Sequence, residues 1–112
     1  MHQMHLHDLP FTQIKTGIKT TEIRLNDPKR QALKVGDIIE FIHYQTNQTL
    51  QAEITKITHA ANLKKLYQIT DPIKAGWEQG ITEDEYISYM TQFYPQEEKK
   101  EYGVVEITLE LI

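Results

Sequence analysis

Residues 17–40 decide the fold of this chain, and they read GIKTTEIRLNDPKRQALKVGDIIE. A glycine opens the stretch, and residues 20–25 then alternate with the period of two that is typical of a β-strand. On that strand Glu22 and Arg24 share one face, and Lys19 lies just before it. The segment therefore predicts a strand that carries a compact group of charged side chains.

A basic segment separates this strand from the next one. Residues 26–28, Asn-Asp-Pro, end the strand, and Lys29 and Arg30 form a basic pair in a predicted loop. Residues 35–37, Val-Gly-Asp, predict a turn. Residues 38–44 are rich in β-branched and aromatic side chains, which favours a strand after that turn.

The rest of the chain predicts three helices and further strands. Asp8 is the expected N-cap of the first helix and Gly17 its end. Thr82 and Glu85 form a capping box at the start of the best-defined helix, which we expect Pro95 to end. The third helix falls in residues 62–68, and the other strands fall in residues 4–7, 49–58 (with an irregularity before Ile57) and 102–112.

Length and composition exclude several classes of protein. A chain of 112 residues predicts one domain, over residues 1–112. The absence of cysteine excludes disulfide frameworks, zinc knuckles and thiol catalysis. No apolar run is long enough to span a bilayer, and the N-terminus lacks the pattern of a signal peptide. We therefore expect a cytoplasmic protein that does not associate with membranes.

Charge is distributed unevenly along the sequence. The net charge of −4 argues against binding nucleic acid through bulk electrostatics. Residues 13–34, however, hold six cations against two carboxylates. Such a basic face can attract a ligand that carries phosphate. The alternative is an ordinary solvated surface of mixed charge.

The pattern G-x-K-T-x-E-x-R followed by L-x-V-G-D resembles the ASCH domain, a small barrel of the PUA-like superfamily associated with RNA. The closing residues 94–98 and 102–105 are similar to the end of that domain, so the resemblance extends over roughly residues 9–111. It implies an α+β fold, with a small PUA-like β-barrel of five to six strands flanked by two or three helices.

Lys19, Glu22 and Arg24 form the candidate ligand site. A carboxylate between two cations can bind the polar edge of a nucleobase, and the equivalent cleft of ASCH domains is thought to accept nucleotide-like ligands. The structural alternative is that Glu22 and Arg24 simply pair to satisfy buried charge. With the neighbouring basic residues, and a tryptophan between two glycines that could act as a lid, the candidate ligand-binding residues are Lys15, Lys19, Glu22, Arg24, Lys29, Arg30 and Trp77.

An enzymatic function is the alternative to binding. Some small ASCH proteins are amidohydrolases of acetylcytidine, in which a Lys-Thr-x-Thr segment supplies a lysine and a threonine nucleophile. Lys19 and Thr20 match the first pair, but Glu22 occupies the position of the nucleophile. A hydrolase of a modified nucleoside or of RNA would use Lys19 to stabilise developing charge and Glu22 as the base. The sequence leaves open whether the protein is an enzyme.

The expected partner is RNA or a nucleotide-like small molecule. A third possibility is a regulatory module whose ligand is a protein or a small metabolite. His5 and His7 share a strand face, but the third ligand of a metal site would have to be His2 on a mobile terminus. We therefore expect no metal, no cofactor and a monomeric protein.

Overall fold

The computed structural model describes residues 1–92 and 102–112. One curled, half-barrel sheet has the strand order β1-β3-β4-β5-β2, with β1 parallel to β3 and the other neighbours antiparallel. Its strands are β1 (His2–Leu6), β2 (Thr21–Leu25), β3 (Ile38–His43), β4 (Thr49–Ala60) and β5 (Val104–Leu111). The described helices are α1 (Asp8–Thr16), α2 (Pro28–Gln31), α3 (Leu63–Ile69) and α4 (Glu83–Thr91), with a 3₁₀ turn at Pro72–Ala75.

Local signals set the limits of α1. Phe11 and Ile14 are buried one helical turn apart, which fixes the face that packs on the sheet. Gly17 ends the helix at φ 85°, and its N–H donates to the Ile14 carbonyl, as the sequence predicts. His7, not Asp8, occupies the N-cap, so the predicted start is wrong by one residue.

The predicted capping box of α4 is confirmed. Thr82 Oγ1 accepts from the backbone N–H of Glu85 at 3.2 Å, and Glu85 Oε1 accepts from the N–H of Thr82 at 3.0 Å. Tyr86 and Met90 form the buried face of the helix. The predicted stop at Pro95 and the closing residues 94–98 of the resemblance lie outside the described residues.

Two apolar clusters hold helices against the sheet, one on each face of β5. The first core cluster packs α1 against β1, β3, β4 and β5, and includes Phe11, Phe41, Val105 and Ile107. The second core cluster packs α3, α4 and the 3₁₀ turn against β2 and β5; its buried members are Ile23, Leu63, Leu66, Ala75, Tyr86, Met90 and Val104. Neighbouring residues of β5 serve different clusters because side chains alternate along a strand. The predicted irregularity in β4 is present as a register shift between Ile54 and Lys56.

The α+β fold with a barrel-like sheet is confirmed, and one predicted loop is wrong. Residues 28–31 form the short helix α2, because Asp27 Oδ1 accepts from the N–H of Arg30 at 3.1 Å and Pro28 opens the first turn. The 3₁₀ turn at Pro72–Ala75 was also not predicted. Within residues 1–92 and 102–112, no helix has the length and apolar character that crossing a membrane requires.

Candidate ligand-binding cleft

The carboxylate of Glu22 lies between two cations. Lys19 Nζ is 3.1 Å from Glu22 Oε1. On the other side Arg24 Nε donates to Glu22 Oε2 at 2.8 Å, and Arg24 Nη2 lies 2.8 Å from the same oxygen. Glu22 and Arg24 project from the same face because they are two residues apart on β2. The structural ion pair that the sequence offered as an alternative is therefore present.

These charges occupy the inner face of the curled sheet. Glu22 is paired with Ile107 and Arg24 with Val105, and both of these β5 residues belong to the first core cluster. Directly paired residues of antiparallel strands point to the same face. The polar face of β2 is consequently covered, and Glu22 is only 7% exposed.

The electrostatics of the cluster favour an ionised Glu22. Burial alone would raise the pKa of this carboxyl, but the charges of Lys19 and Arg24, and the hydrogen bonds from both, outweigh burial and hold the pKa below its usual value of 4.5. Counted by themselves, Lys19, Glu22 and Arg24 sum to a charge of +1. The cluster therefore attracts an anionic or electron-rich group.

Lys19 retains a donor for a ligand. The residue is 7% exposed, and Nζ donates to the backbone carbonyl of Ala75 at 2.8 Å in addition to its contact with Glu22. An ammonium group has three N–H donors, so two are used by the described residues. Lys19 also lines the cleft described next. A ligand acceptor there would satisfy the third donor.

A cleft of about 1020 Å³ opens over the cluster. The end of β1 and the start of α1 form one wall, and residues 75–81 with α4 form the other. On the second wall Trp77 stacks on Tyr89, with ring centroids 5.6 Å apart and an interplanar angle of 15°. Small-molecule pockets in proteins typically measure about 300–1,000 Å³, so the volume of this cleft lies at the upper end of that range.

The loop that carries Trp77 is fixed to α1. Gln13 Nε2 donates to the backbone carbonyl of Gly76 at 3.3 Å, and the N–H of Lys19 donates to the carbonyl of Gln13 at 3.0 Å. Gly76 has φ 94°, and a Cβ there would lie 2.6 Å from Gln13 Oε1. Gln13 therefore positions both the loop that carries Trp77 and the backbone of Lys19.

A second buried polar group lies on the opposite face of β2. Thr21 Oγ1 donates to Glu106 Oε1 at 3.1 Å. Burial raises the pKa of Glu106, and the hydrogen bond from Thr21 offsets this only in part. The hydroxyl of the fully buried Tyr86 has no hydrogen-bond partner among the described residues, and burial together with the charge of Glu106 raises its pKa.

His2 and His43 each bond a carboxylate. His2 Nε2 lies 2.9 Å from Asp37 Oδ2. His43 Nδ1 accepts from the N–H groups of Gln45 and Thr46, so Nε2 carries the proton that bonds Asp8. Across residues 1–92 and 102–112 no three His, Cys, Asp or Glu side chains form a group suited to a metal ion.

Comparison with known families shows to which family the chain belongs. The profile of the ASCH domain matches residues 4–112. The chain belongs to the ASCH domain family. A search among curated proteins finds no match.

Solved structures share the fold of this ASCH domain. The crystal structure of hypothetical protein PH0355 is 31% identical, has a TM-score of 0.85, and the match covers 98% of this chain and 97% of that one. The NMR structure of protein PF0455 from Pyrococcus furiosus is 27% identical with a TM-score of 0.72, over 99% and 96% of the two chains. ASCH from Zymomonas mobilis is 16% identical with a TM-score of 0.64, over 96% of this chain and 65% of that one, and shows the fold alone.

The ASCH domain brings four of the seven predicted ligand residues together. Lys19, Glu22, Arg24 and Trp77 line the cleft. The other three lie outside its lining: Lys15 is exposed in the last turn of α1, Lys29 is exposed on α2, and Arg30 pairs with Asp27 at 3.3 Å. Trp77 is half-buried against Tyr86 and Tyr89.

Sequence reasoning missed part of the cleft of this ASCH domain. Tyr89 has the helical spacing of a core residue, yet it is 44% exposed and stacks on Trp77. His5 and His7 line the opposite wall with Tyr44. The one available signal was that the two histidines share a strand face, and this pattern was considered for metal binding alone.

Proposed function

We propose that this ASCH domain binds RNA or a nucleotide-like small molecule in the cleft above Lys19, Glu22 and Arg24. The observation that carries the proposal is the buried ammonium of Lys19, which has a third N–H donor and lines the cleft. A site that keeps a buried cation beside an open cleft is suited to a ligand with carbonyl or phosphate oxygens.

The other groups of the cleft match the parts of a nucleotide. The stacked rings of Trp77 and Tyr89 offer an aromatic surface to a base. Glu22 Oε1 receives one N–H, from Lys19, and a carboxylate oxygen can accept a second, for example from a base amino group. The association of PUA-like domains with RNA supports the same class of ligand.

The hydrolase alternative receives less support from this geometry. A general base needs a pKa near the working pH, whereas the pKa of Glu22 is lowered and both of its oxygens accept from cations. Neither Thr20 nor Thr21 lines the cleft, and the Thr21 hydroxyl bonds Glu106 on the other face of β2. The lining of the cleft, as far as the structure describes it, therefore holds no serine or threonine hydroxyl that could act as the nucleophile.

Fluorescence provides a direct test, because Trp77 is the only tryptophan of the chain. Nucleosides, nucleoside monophosphates and short single-stranded RNAs are titrated while tryptophan emission is followed, with calorimetry as an independent readout. We expect Lys19→Met to weaken binding by about tenfold or more, since a hydrogen bond to a charged group is lost. Lys15→Met removes the same charge outside the cleft and should bind as the wild type does.

Two results would contradict the proposal. One is equal binding by the wild type and Lys19→Met, with circular dichroism confirming that the variant is folded. The other is that no nucleic-acid component changes Trp77 emission or releases heat. Turnover of acetylcytidine or single-stranded RNA that Glu22→Gln abolishes would establish the hydrolase instead.

A further inference from the structure

The two walls of the cleft differ in chemistry. On the β1 side the imidazoles of His5 and His7 lie against the ring of Tyr44, with centroid distances of 5.1 Å and 4.6 Å. On the other side Glu78 and Glu85 accompany the aromatic pair. The cleft is therefore polarised, with proton-accepting nitrogen bases at one wall and carboxylates at the other.

Strand geometry explains why the two imidazoles share the cleft. Met4 and Leu6 are buried in the first core cluster, so the alternating His5 and His7 are turned to the opposite side and are exposed. The parallel pairing of β1 with β3 continues beyond the strands, where the N–H of Tyr44 donates to the carbonyl of Leu6 at 3.0 Å. This bond places the Tyr44 ring beside both histidines.

The charges around the histidine wall favour an anion there. Arg24 Nη2 donates to the backbone carbonyl of His5 at 3.2 Å, which places a guanidinium at this wall. At the opposite wall, hydrogen bonds from the backbone and side chain of Thr82 lower the pKa of Glu85, so this carboxylate is charged at neutral pH. An anion is attracted to the first wall and repelled by the second.

We propose that His5 and His7, beside Arg24, form a phosphate subsite of the cleft. The inference rests on the proposed function and deepens it: the ligand is a phosphate ester whose base stacks on Trp77 and Tyr89. Either a terminal phosphate of a nucleotide or a phosphodiester of RNA supplies this chemistry. Imidazole nitrogens donate to phosphate oxygens, and they add positive charge when protonated.

Binding of the phosphate should therefore strengthen as the pH falls. Histidine side chains change charge in roughly the pH 5–8 range. The ionisable groups around the pair are Glu22, Arg24 and Lys19 at the cleft floor, Tyr44 after β3, Asp8 at the start of α1, and Glu78 and Glu85 across the cleft. The Asp8 carboxylate is engaged by His43 Nε2 at 2.9 Å, and Glu22 by its two cations. Asp8 and Glu22, the carboxylates on the same side of the cleft as the pair, thus already have N–H or cationic partners.

The test compares three probes: adenosine, adenosine 5′-monophosphate, which adds a terminal phosphate, and the dinucleoside monophosphate ApA, which adds a phosphodiester and a second adenosine. Affinities are measured by calorimetry at about pH 6 and about pH 8, on either side of the histidine range. We expect adenosine monophosphate, ApA or both to bind at least about fivefold more tightly than adenosine at the lower pH, from charge-assisted hydrogen bonds. Preference for one of the two identifies a terminal phosphate or a phosphodiester as the natural group.

The double variant His5→Gln/His7→Gln should lose this increment, so that its affinities for the phosphorylated probes fall to about its own affinity for adenosine. His59→Gln is the matched control, since His59 is exposed on β4 and outside the cleft lining. An increment that survives in the double variant, or the absence of any increment in a wild type that binds adenosine, overturns the phosphate subsite and leaves the proposed function standing. Failure of all three probes to bind overturns both.

Discussion

Arg24 on β2 donates from Nη2 to the backbone carbonyl of His5 on β1 at 3.2 Å. The two strands are the opposite edges of the sheet, in the order β1-β3-β4-β5-β2. One side chain thus joins the edges where the curled sheet fails to close. The same guanidinium also bonds Glu22. The junction of the two edge strands, called the seam below, and the floor of the cleft therefore both depend on Arg24.

Replacing Arg24 should destabilise the protein. Arg24→Ala leaves the buried Glu22 with Lys19 alone and removes the link to β1, so we expect a loss of about 2–4 kcal/mol in the free energy of unfolding. Arg24→Lys keeps the charge but not the fork of donors, and should lose less. Urea denaturation measures both.

Lys29→Ala, an exposed cation on α2, is the control and should change stability by less than about 0.5 kcal/mol. A loss of similar size for Arg24→Ala and Lys29→Ala would contradict the role of Arg24 at the seam.

Glu22→Gln should reduce the loss of stability that the protein undergoes as the pH becomes acidic. The pKa of Glu22 is lowered in the folded protein, so its contribution is fully present above its usual value of 4.5 and is lost as the pH falls through the lower folded value. The variant should melt at a lower temperature at neutral pH, because Lys19 and Arg24 lose their counter-charge. Melting temperatures of the wild type and the variant are measured from neutral to acidic pH, and the difference between them should shrink as the pH falls. A difference that stays constant would contradict the prediction.

Glu106→Gln should stabilise the protein at neutral pH, whereas Glu22→Gln should destabilise it. The pKa of Glu106 is raised by burial, so ionisation destabilises the folded state above that raised pKa, and the penalty disappears as the pH falls through it towards 4.5. Thr21 can still donate to the amide oxygen of glutamine. We expect a gain in melting temperature at neutral pH that shrinks on acidification. A loss at neutral pH would show that the Glu106 charge is stabilising.

Tyr86→Phe tests the hydroxyl of Tyr86 that has no partner in the described part of the chain. Phenylalanine keeps the ring contacts and removes a buried polar group without a hydrogen bond. Because such a group costs about 1–3 kcal/mol, the substitution should be neutral or stabilising in chemical denaturation. Destabilisation by more than about 1 kcal/mol would mean that the hydroxyl does bond, directly or through water.

Gly76→Ala and Gly80→Ala form a matched pair. Both glycines have positive φ, 94° and 85°, so each substitution incurs backbone strain of about 1 kcal/mol. Only at position 76 does the new Cβ also meet Gln13 Oε1, at 2.6 Å. We expect Gly76→Ala to be the more destabilising and to shift the emission of Trp77. Equal effects on stability and emission would contradict the role of Gln13 in fixing the loop.

Elements with local signals were predictable from the sequence. The capping box at Thr82 and the glycine end of α1 each depend on residues within one turn of one another. The strand around Glu22 was predictable because its alternation needs only its own residues. The helix at residues 28–31 escaped prediction because four residues carry too little periodicity, although Asp27 before Pro28 was a capping signal.

The composition of the cleft was only partly predictable. Lys19, Glu22 and Arg24 are close in sequence, so their proximity follows from one strand. The histidine wall depends on the parallel pairing of β1 with β3, which joins residues separated by two helices and the strand β2. Tyr89 has the helical spacing of a core residue, and only the position of the 75–81 loop shows that it faces the cleft beside Trp77.

The sequence by itself determined the family, the strands and the charged triplet, because each is encoded by neighbouring residues or by a motif. Tertiary structure decided that Glu22 is buried between two cations, that Lys15, Lys29 and Arg30 stay outside the cleft, and that His5 and His7 line it. The physical reason is that the burial and the electrostatic surroundings of a side chain depend on which strand edges lie next to each other in the fold. In this fold the curl of the sheet brings β1 to β2, and Arg24 joins them.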